Sequence, residues 1–226
     1  MGATVTENRA TTADPARPAA VPAGDIALDR LRPLPLHQGI LADDFCSYAA
    51  ELRQELLRFP RWKPFRLGGG SNYSFQTGIT TGHIQGRFDE LARCHRFEAA
   101  LLACGEELCR RVGAAVGGEL AIDISGMAYG KDGRLKRHTD SIGARRLAWI
   151  LYLTDPDDGE WPARDGGPLV LSDGPGADAG EVVVAPRFNR FVAFQVTDAS
   201  WHEIRPVLRD TPWPAARLCL AGWLHE

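Results

Sequence analysis

The sequence predicts an α+β protein that is mainly β, with helices in its N-terminal half supporting an all-β core in its C-terminal half. Three observations carry that reading. Before Gly118 the apolar residues recur at helical steps, and after it they fall into short continuous or alternating runs. Clusters of Gly, Pro and Asp separate those runs at turn-like intervals. The length of 226 residues suits one domain with a substantial core and a tail.

Residues 1–24, MGATVTENRATTADPARPAAVPAG, are rich in Ala, Thr and Pro and nearly devoid of large apolar side chains. They cannot offset the entropy of ordering and read as a disordered tail, which leaves 25–226 as a single domain. From Leu41 to Phe59 the residues Leu41, Phe45, Tyr48, Ala49, Leu52 and Leu56 fall on one face of an amphipathic helix. The next stretch, 61–86, RWKPFRLGGGSNYSFQTGITTGHIQG, joins three consecutive glycines to Trp, Phe and Tyr. It reads as a flap, either a lid over substrate or a surface excursion packed by its aromatics. A second helical region runs from about Arg87 to Val116, with Phe88, Leu91, Phe97, Leu101, Leu108 and Val112 as its buried positions. Helical support thus spans 38–117 and the all-β core 118–226. Within that core ELAIDISGMAY (119–129), RRLAWILYLT (145–154), GPLVLS (167–172), EVVVAP (181–186), RFVAFQV (190–196) and RLCLAGWL (217–224) read as strands of a sandwich or barrel.

A net charge of −3 gives no basic footprint, which argues against nucleic acid as a partner. No apolar run approaches the roughly 18 residues of a membrane span, and the N-terminus lacks the regions of a signal peptide, so a cytoplasmic protein with no membrane partner is expected. Five cysteines, Cys46, Cys94, Cys104, Cys109 and Cys219, make an odd count without a C-x-x-C pair. Buried free thiols are expected, not a disulfide framework or a zinc knuckle.

The chemistry concentrates in RLKRHTDSIG, 134–143, where His138 and Asp140 stand two positions apart. On a strand, side chains at i and i+2 point the same way, so both can reach one point in space. His202, beyond the strand ending in FQV, is a second imidazole. Two imidazoles and one carboxylate make a facial triad that leaves coordination positions open, as non-haem Fe(II) oxygen chemistry requires. Alone, H-x-D is weak evidence, since such pairs occur by chance in many chains and are usually solvated polar residues. Alternation in RLCLAGWL puts Arg217, Cys219, Ala221 and Trp223 on one face and Leu218 and Leu220 on the other. A guanidinium inside a barrel needs an anion, which a bound dicarboxylate or a nearby Asp or Glu would supply. Tyr152 points inward if Ile150 does, and its hydroxyl could share such a carboxylate or simply pack in the core. His37, His83, His95 and His225 lack this ordered context and read as exposed or packed.

In order along the C-terminal half stand MAYGKDG, RHTD, ILYLT, GGPLVL, PRFNRFVAF, WHEIRPV and RLCLAGWL. This half resembles the 2-oxoglutarate- and Fe(II)-dependent oxygenases of the prolyl-4-hydroxylase-like group, which implies a double-stranded β-helix of the jelly-roll or cupin kind. The resemblance makes His138, Asp140 and His202 the catalytic iron ligands and Arg217 the partner of the distal carboxylate of 2-oxoglutarate. Tyr152 matches a tyrosine that helps hold that carboxylate, and Tyr129 a residue lining the site. Ala221 departs from the pattern, because many relatives place Thr or Ser there. Fe(II), 2-oxoglutarate and O2 are the implied cofactors, and succinate and CO2 the coproducts. Retention of Asp140 implies hydroxylation, since halogenating relatives replace this carboxylate with Ala or Gly. With no added peptide-binding domain recognised and a flap able to close over a small guest, a small molecule, such as an amino acid or biosynthetic intermediate, is the favoured substrate. A prolyl residue of a protein or peptide is the alternative. A non-catalytic metal-binding β-helix is the other, although a structural zinc would call for four closed ligands.

Overall fold

The computed structural model describes residues 24–60, 62–65, 73–80, 91–176, 178–210 and 217–226, with backbone alone for 63–65 and 73–80. Its elements begin with β1 (Arg32–Pro33), β2 (Ile40–Ala42), α1 (Ala49–Arg58), β3 (Lys63–Phe65), β4 (Tyr73–Thr80), α2 (Ala92–Ala103) and α3 (Gly105–Arg111). There follow β5 (Ala121–Tyr129), β6 (Leu135–His138), β7 (Arg145–Tyr152), β8 (Leu169–Ser172), β9 (Glu181–Val184), β10 (Phe191–Gln195), β11 (Trp201–Ile204) and β12 (Arg217–His225). They form one sheet ordered β1-β2-β10-β7-β12-β5-β4-β3 and a smaller one ordered β6-β11-β8-β9, with antiparallel pairing throughout.

Alternation along the central strands separates two cores. Leu147, Trp149 and Leu151 of β7 and Leu218, Leu220 and Leu224 of β12 face the helices, where they meet Leu52, Leu56, Phe97, Leu101 and Leu108. Ala148, Ile150 and Tyr152 of β7 and Cys219, Ala221 and Trp223 of β12 turn the other way, toward Leu169, Leu171 and Ile204 of the small sheet. One layer of helices therefore braces the large sheet from outside, and the two sheets enclose the second core between them, as in a double-stranded β-helix. Each large apolar side chain so buried contributes about 1.5–3 kcal/mol. The inward orientation expected of Tyr152 and the two-faced reading of β12 both hold.

The N-terminal half departs from expectation in three places. Of the helix read over 41–59 only Ala49–Arg58 is helical, because Ile40–Ala42 pair with β10 as strand β2. Asp43 holds the exit of that strand, accepting hydrogen bonds from Arg190 (2.7 Å) and Arg32 (3.1 Å), and Asp44 turns the chain at φ 52°. The apolar residues are all buried, but Leu41 belongs to the core between the sheets and Phe45, Leu52 and Leu56 to the core under the helices. The second helical region is two helices broken at Cys104, with Leu91, Phe97, Leu101, Leu108 and Val112 buried; Phe88 lies outside the described residues. The support at 38–117 is not purely helical either. β4, drawn from the stretch read as a flap, runs along β5 in a continuous register from Phe75↔Ala128 to Thr80↔Asp123. Its alternation of Tyr73, Phe75, Thr77 and Ile79 suits a strand, and pairing it covers what would be an open sheet edge. The remaining flap positions, 61, 66–72 and 81–86, and tail residues 1–23 lie outside the description.

The five thiols are unpaired, four of them buried. No helix among the described residues is long and apolar enough to cross a membrane. Glu226 ties the loop after α3 to the large sheet, since its carboxylate accepts the N–H groups of Gly117 and Gly118 and pairs with Arg146. The Arg146 hydrogen bond, followed by the two backbone donors, holds its pKa down from 4.5 to about 2. A depressed carboxyl pKa stabilises the fold above the unfolded value and loses that contribution as pH falls through the folded one. Glu226→Gln is thus expected to melt below the parent at pH 7, and the gap should close between pH 4.5 and about 2 in thermal denaturation across that range.

Candidate active site

β6 and β11 lie side by side in the small sheet, and their antiparallel register sets His138 opposite His202. The two rings stand 4.2 Å apart between centroids. Asp140 follows in the turn leaving β6, with Oδ1 3.4 Å from His138 Nε2 and Oδ2 3.3 Å from His202 Nε2. One donor atom from each of the three residues lies within 4.8 Å of the others. The Nδ1 of His138 donates to the carbonyl of Lys136 (2.7 Å) and that of His202 to the carbonyl of Ser200 (2.9 Å). With Nδ1 held by a carbonyl, each Nε2 faces the common space, where its N–H can donate to Asp140 and where, on losing that proton, it would offer its lone pair to a metal. Phe194 of β10 packs edge-on against His202 at 4.8 Å and fixes its ring.

Burial pushes the Asp140 carboxyl up, but hydrogen bonds from His138, His202 and Trp223 and the charge of His202 outweigh it and hold its pKa well below the usual carboxylate range. Burial lowers His138, yet the hydrogen bond and charge of Asp140 prevail and raise it above 6.5. A carboxylate kept ionised between two imidazoles, in a site open on one side, fits a divalent first-row metal such as Fe(II) with positions to spare. Over the triad opens a cavity of about 630 Å³, lined also by Met127, Tyr129, Ile150, Ile204, Ala221 and Trp223.

Arg217 opens β12 and is fully buried. Its guanidinium lies 5.0 Å from the ring centroids of both Tyr129 and Tyr152. Nε–H donates to the Gly167 carbonyl (2.5 Å) and Nη2 to the Tyr152 hydroxyl (3.3 Å), while Nη1 faces Cys219 Sγ at 4.0 Å. Among the described residues no carboxylate pairs with it. Neutral hydrogen bonds and aromatic faces recover only part of the several kcal/mol that burying a cation costs, so the pocket calls for an anion. A carboxylate of 2-oxoglutarate fits that demand. Burial raises the Tyr152 hydroxyl to about 12 against the opposing charge of Arg217, so it stays a neutral donor.

Every sequence-selected site residue is accounted for. The structure gathers His138, Asp140 and His202 at one point and Arg217, Tyr152 and Tyr129 at another. Tyr129 connects the two groups, since it lines the cavity and lies against Arg217, and its hydroxyl donates to Met127 Sδ at 3.6 Å. Arg217 and Tyr152 sit behind that lining. His37 is half-buried behind a ligand, with Nε2 3.1 Å from the Trp201 carbonyl, while His95 pairs with Glu98 and His225 with Asp123; His83 is outside the described residues. Sequence reasoning missed the partners of Asp140 across the sheets, Trp223 (2.8 Å) and Arg145 (3.6 Å). It also missed the Gly167 carbonyl, for which the paired glycines of GGPLVL were the available signal.

Fold and triad together define a double-stranded β-helix in which two histidines and one aspartate are grouped closely enough to hold a metal ion. Residues 124–225 match the model of the 2OG-Fe(II) oxygenase superfamily, so this part of the chain is similar to that superfamily. That superfamily uses Fe(II), 2-oxoglutarate and O2. Prolyl 3-hydroxylase OGFOD1 of Xenopus laevis is 39% identical over 113 residues, covering 47% of this chain and 20% of that protein. Prolyl 3,4-dihydroxylase OGFOD1 of Ostreococcus tauri is 36% identical over 110 residues, covering 46% and 21%. The chain thus spans about a fifth of the length of these curated relatives. The crystal structure of a Pseudomonas putida prolyl-4-hydroxylase shares the fold at a TM-score of 0.58 and 20% identity, over 84% of this chain and 94% of that one.

Gly167 has φ +70°, and a Cβ there would stand 2.9 Å from Val207 Cγ2 and 3.0 Å from Arg217 Cδ. Left-handed strain and these contacts together set the expected cost of Gly167→Ala at about 1–3 kcal/mol. Urea denaturation measures it; parental stability would mean that the loop carrying the carbonyl shifts freely.

Proposed function

We propose that this protein is a Fe(II)- and 2-oxoglutarate-dependent dioxygenase that hydroxylates a prolyl residue in a protein or peptide. The observation that carries the oxygenase reading is the pairing of the His138, Asp140 and His202 cluster with a buried, carboxylate-free Arg217 in one domain. A structural metal site would explain the first and leave the second without a reason. The prolyl reading rests on relatives named as prolyl hydroxylases, at 39% identity over 113 residues and 36% over 110. The small-molecule preference drawn from the sequence leaned on a flap that lies largely outside the described residues, and the relatives favour its alternative.

In this reading Fe(II), when bound, supplies the centre at which 2-oxoglutarate and O2 yield succinate and CO2 while one oxygen atom enters the substrate C–H bond. His138, Asp140 and His202 would hold it through two Nε2 atoms and one carboxylate. Arg217 and the neutral Tyr152 hydroxyl take the distal carboxylate of the cosubstrate, with the Gly167 carbonyl steadying the guanidinium through Nε. Met127, Ile150 and Ile204 keep the cavity wall apolar, which limits water near the reacting carbon. Ala221 offers no hydroxyl where relatives have one, so the carboxylate set relies on Arg217 and Tyr152.

Arg217→Ala is expected to leave Fe(II) binding intact and weaken 2-oxoglutarate by about 2–5 kcal/mol, the range for removing one partner of a buried charge pair. Anaerobic titration of 2-oxoglutarate into the Fe(II) protein, followed by charge-transfer absorption, measures it; unchanged affinity would refute the pocket. His138→Ala and His202→Ala should each lose iron-dependent turnover. For the substrate, Fe(II) protein is incubated with proline-containing peptides and with free amino acids. Coupled succinate and a gain of one oxygen on a peptidyl proline are expected. Coupling to a free amino acid alone would restore the small-molecule reading.

A further inference from the structure

A carboxylate ligand must be held in one orientation, because rotation about its last bond changes which oxygen lone pair meets the metal. The element that carries Asp140 does not do this. Asp140 lies beyond the end of β6, and Ser141 to Ala144, which follow it, are exposed. Its carboxylate is nevertheless buried, and the groups that hold it come from the opposite sheet.

Trp223, on β12, donates its indole Nε1–H to Oδ2 at 2.8 Å. Arg145, the first residue of β7, places Nη1 3.6 Å from Oδ1. The Arg145 guanidinium also lies 3.6 Å above the Trp223 ring, stacked on the side chain that makes the shorter contact. On the inner side stand the imidazoles, His138 facing Oδ1 and His202 facing Oδ2. Oδ1 thus faces the His138 imidazole and the Arg145 charge, and Oδ2 faces the His202 imidazole and the Trp223 N–H donor.

We propose that Trp223 and Arg145 are positioning residues for Asp140, a clamp from the large sheet that fixes the carboxylate plane against the two imidazoles. The proposal rests on the iron-site reading above. Trp223 is the principal member, because its N–H is within hydrogen-bond distance and points into a part-buried site. Arg145 is beyond hydrogen-bond distance; it acts through its charge and by pinning the indole from the solvent side. The ring of Trp223 is also a wall of the cavity, so the same side chain faces substrate and holds the ligand.

The test separates the N–H from the ring. Trp223→Phe keeps an aromatic surface without the donor, and replacing Trp223 with its benzothiophene isostere, in which sulfur stands for N–H, keeps shape as well. Fe(II) affinity is measured anaerobically against a competing chelator, and the charge-transfer band is recorded on adding 2-oxoglutarate. Loss of a hydrogen bond to a metal ligand weakens metal binding by about ten- to a hundredfold. That loss is expected for both variants at unchanged melting temperature of the metal-free protein, with a shifted band. Arg145→Met should lose less, and Arg145→Lys, which keeps charge without the planar stack, should fall between it and the parent. If the isostere binds Fe(II) as the parent does and shows the same band, the clamp is refuted even should Trp223→Phe fail to fold. If the parent itself takes up no Fe(II), the iron-site reading falls and the clamp with it, an outcome visible before any variant is made.

Discussion

The register of β12 is the constraint on which the rest of the molecule depends. The strand is paired on both sides, to β5 from Arg217↔Tyr129 to His225↔Ala121 and to β7 from Cys219↔Tyr152 to His225↔Arg145. Its alternate side chains belong to different cores. A slip of one residue would carry Arg217 and Trp223 into the helix-packed side and bring leucines into the site. Two long ladders, and apolar residues that are acceptable on one face only, rule out that slip. Stability and site geometry are therefore set by the same pairing.

The site draws on that rigidity because it contains groups that oppose folding. Arg217 is wholly buried without a carboxylate among the described residues, which costs several kcal/mol that its neutral partners do not fully return. Around Asp140 two imidazoles are drawn onto one carboxylate. A metal would complete the second group as an anion would complete the first. The two requirements sit in one barrel interior, one at each end of β12, and it is their conjunction that supports the proposed oxygenase site over an incidental metal cluster.

Much of this was legible in the sequence where the signal is local. Alternation in RLCLAGWL placed Arg217, Cys219, Ala221 and Trp223 together, and the i, i+2 spacing of His138 and Asp140, with His202 in the ordered set of motifs, pointed to the triad. Where two cores accept residues from one stretch, periodicity misleads. Leu41 and Phe45 fit a helical step with Leu52 and Leu56, yet they belong to a strand and a turn, because Leu41 enters the other core and Asp43 is held by arginines distant in sequence. β11 was unread because WHEI is short and half polar. Contacts between the sheets, such as Trp223 to Asp140 or Arg217 to Gly167, depend on how distant strands face each other, and no spacing within a strand encodes them.

The cysteines bear on how such a protein tolerates its own chemistry. Cys219 stands 4.0 Å from the Arg217 guanidinium, a neighbour that would ordinarily favour thiolate, yet burial dominates and its pKa is raised. The same holds for Cys46, pushed to about 12, for Cys109, pushed to about 11, and for Cys94 and Cys104, each chiefly by burial. Oxidants attack the thiolate far more readily than the neutral thiol. Sulfur beside the proposed oxygen-handling centre is thereby kept in its inert form, and Met127, a thioether on the cavity wall, is left as the more exposed target for stray oxidation.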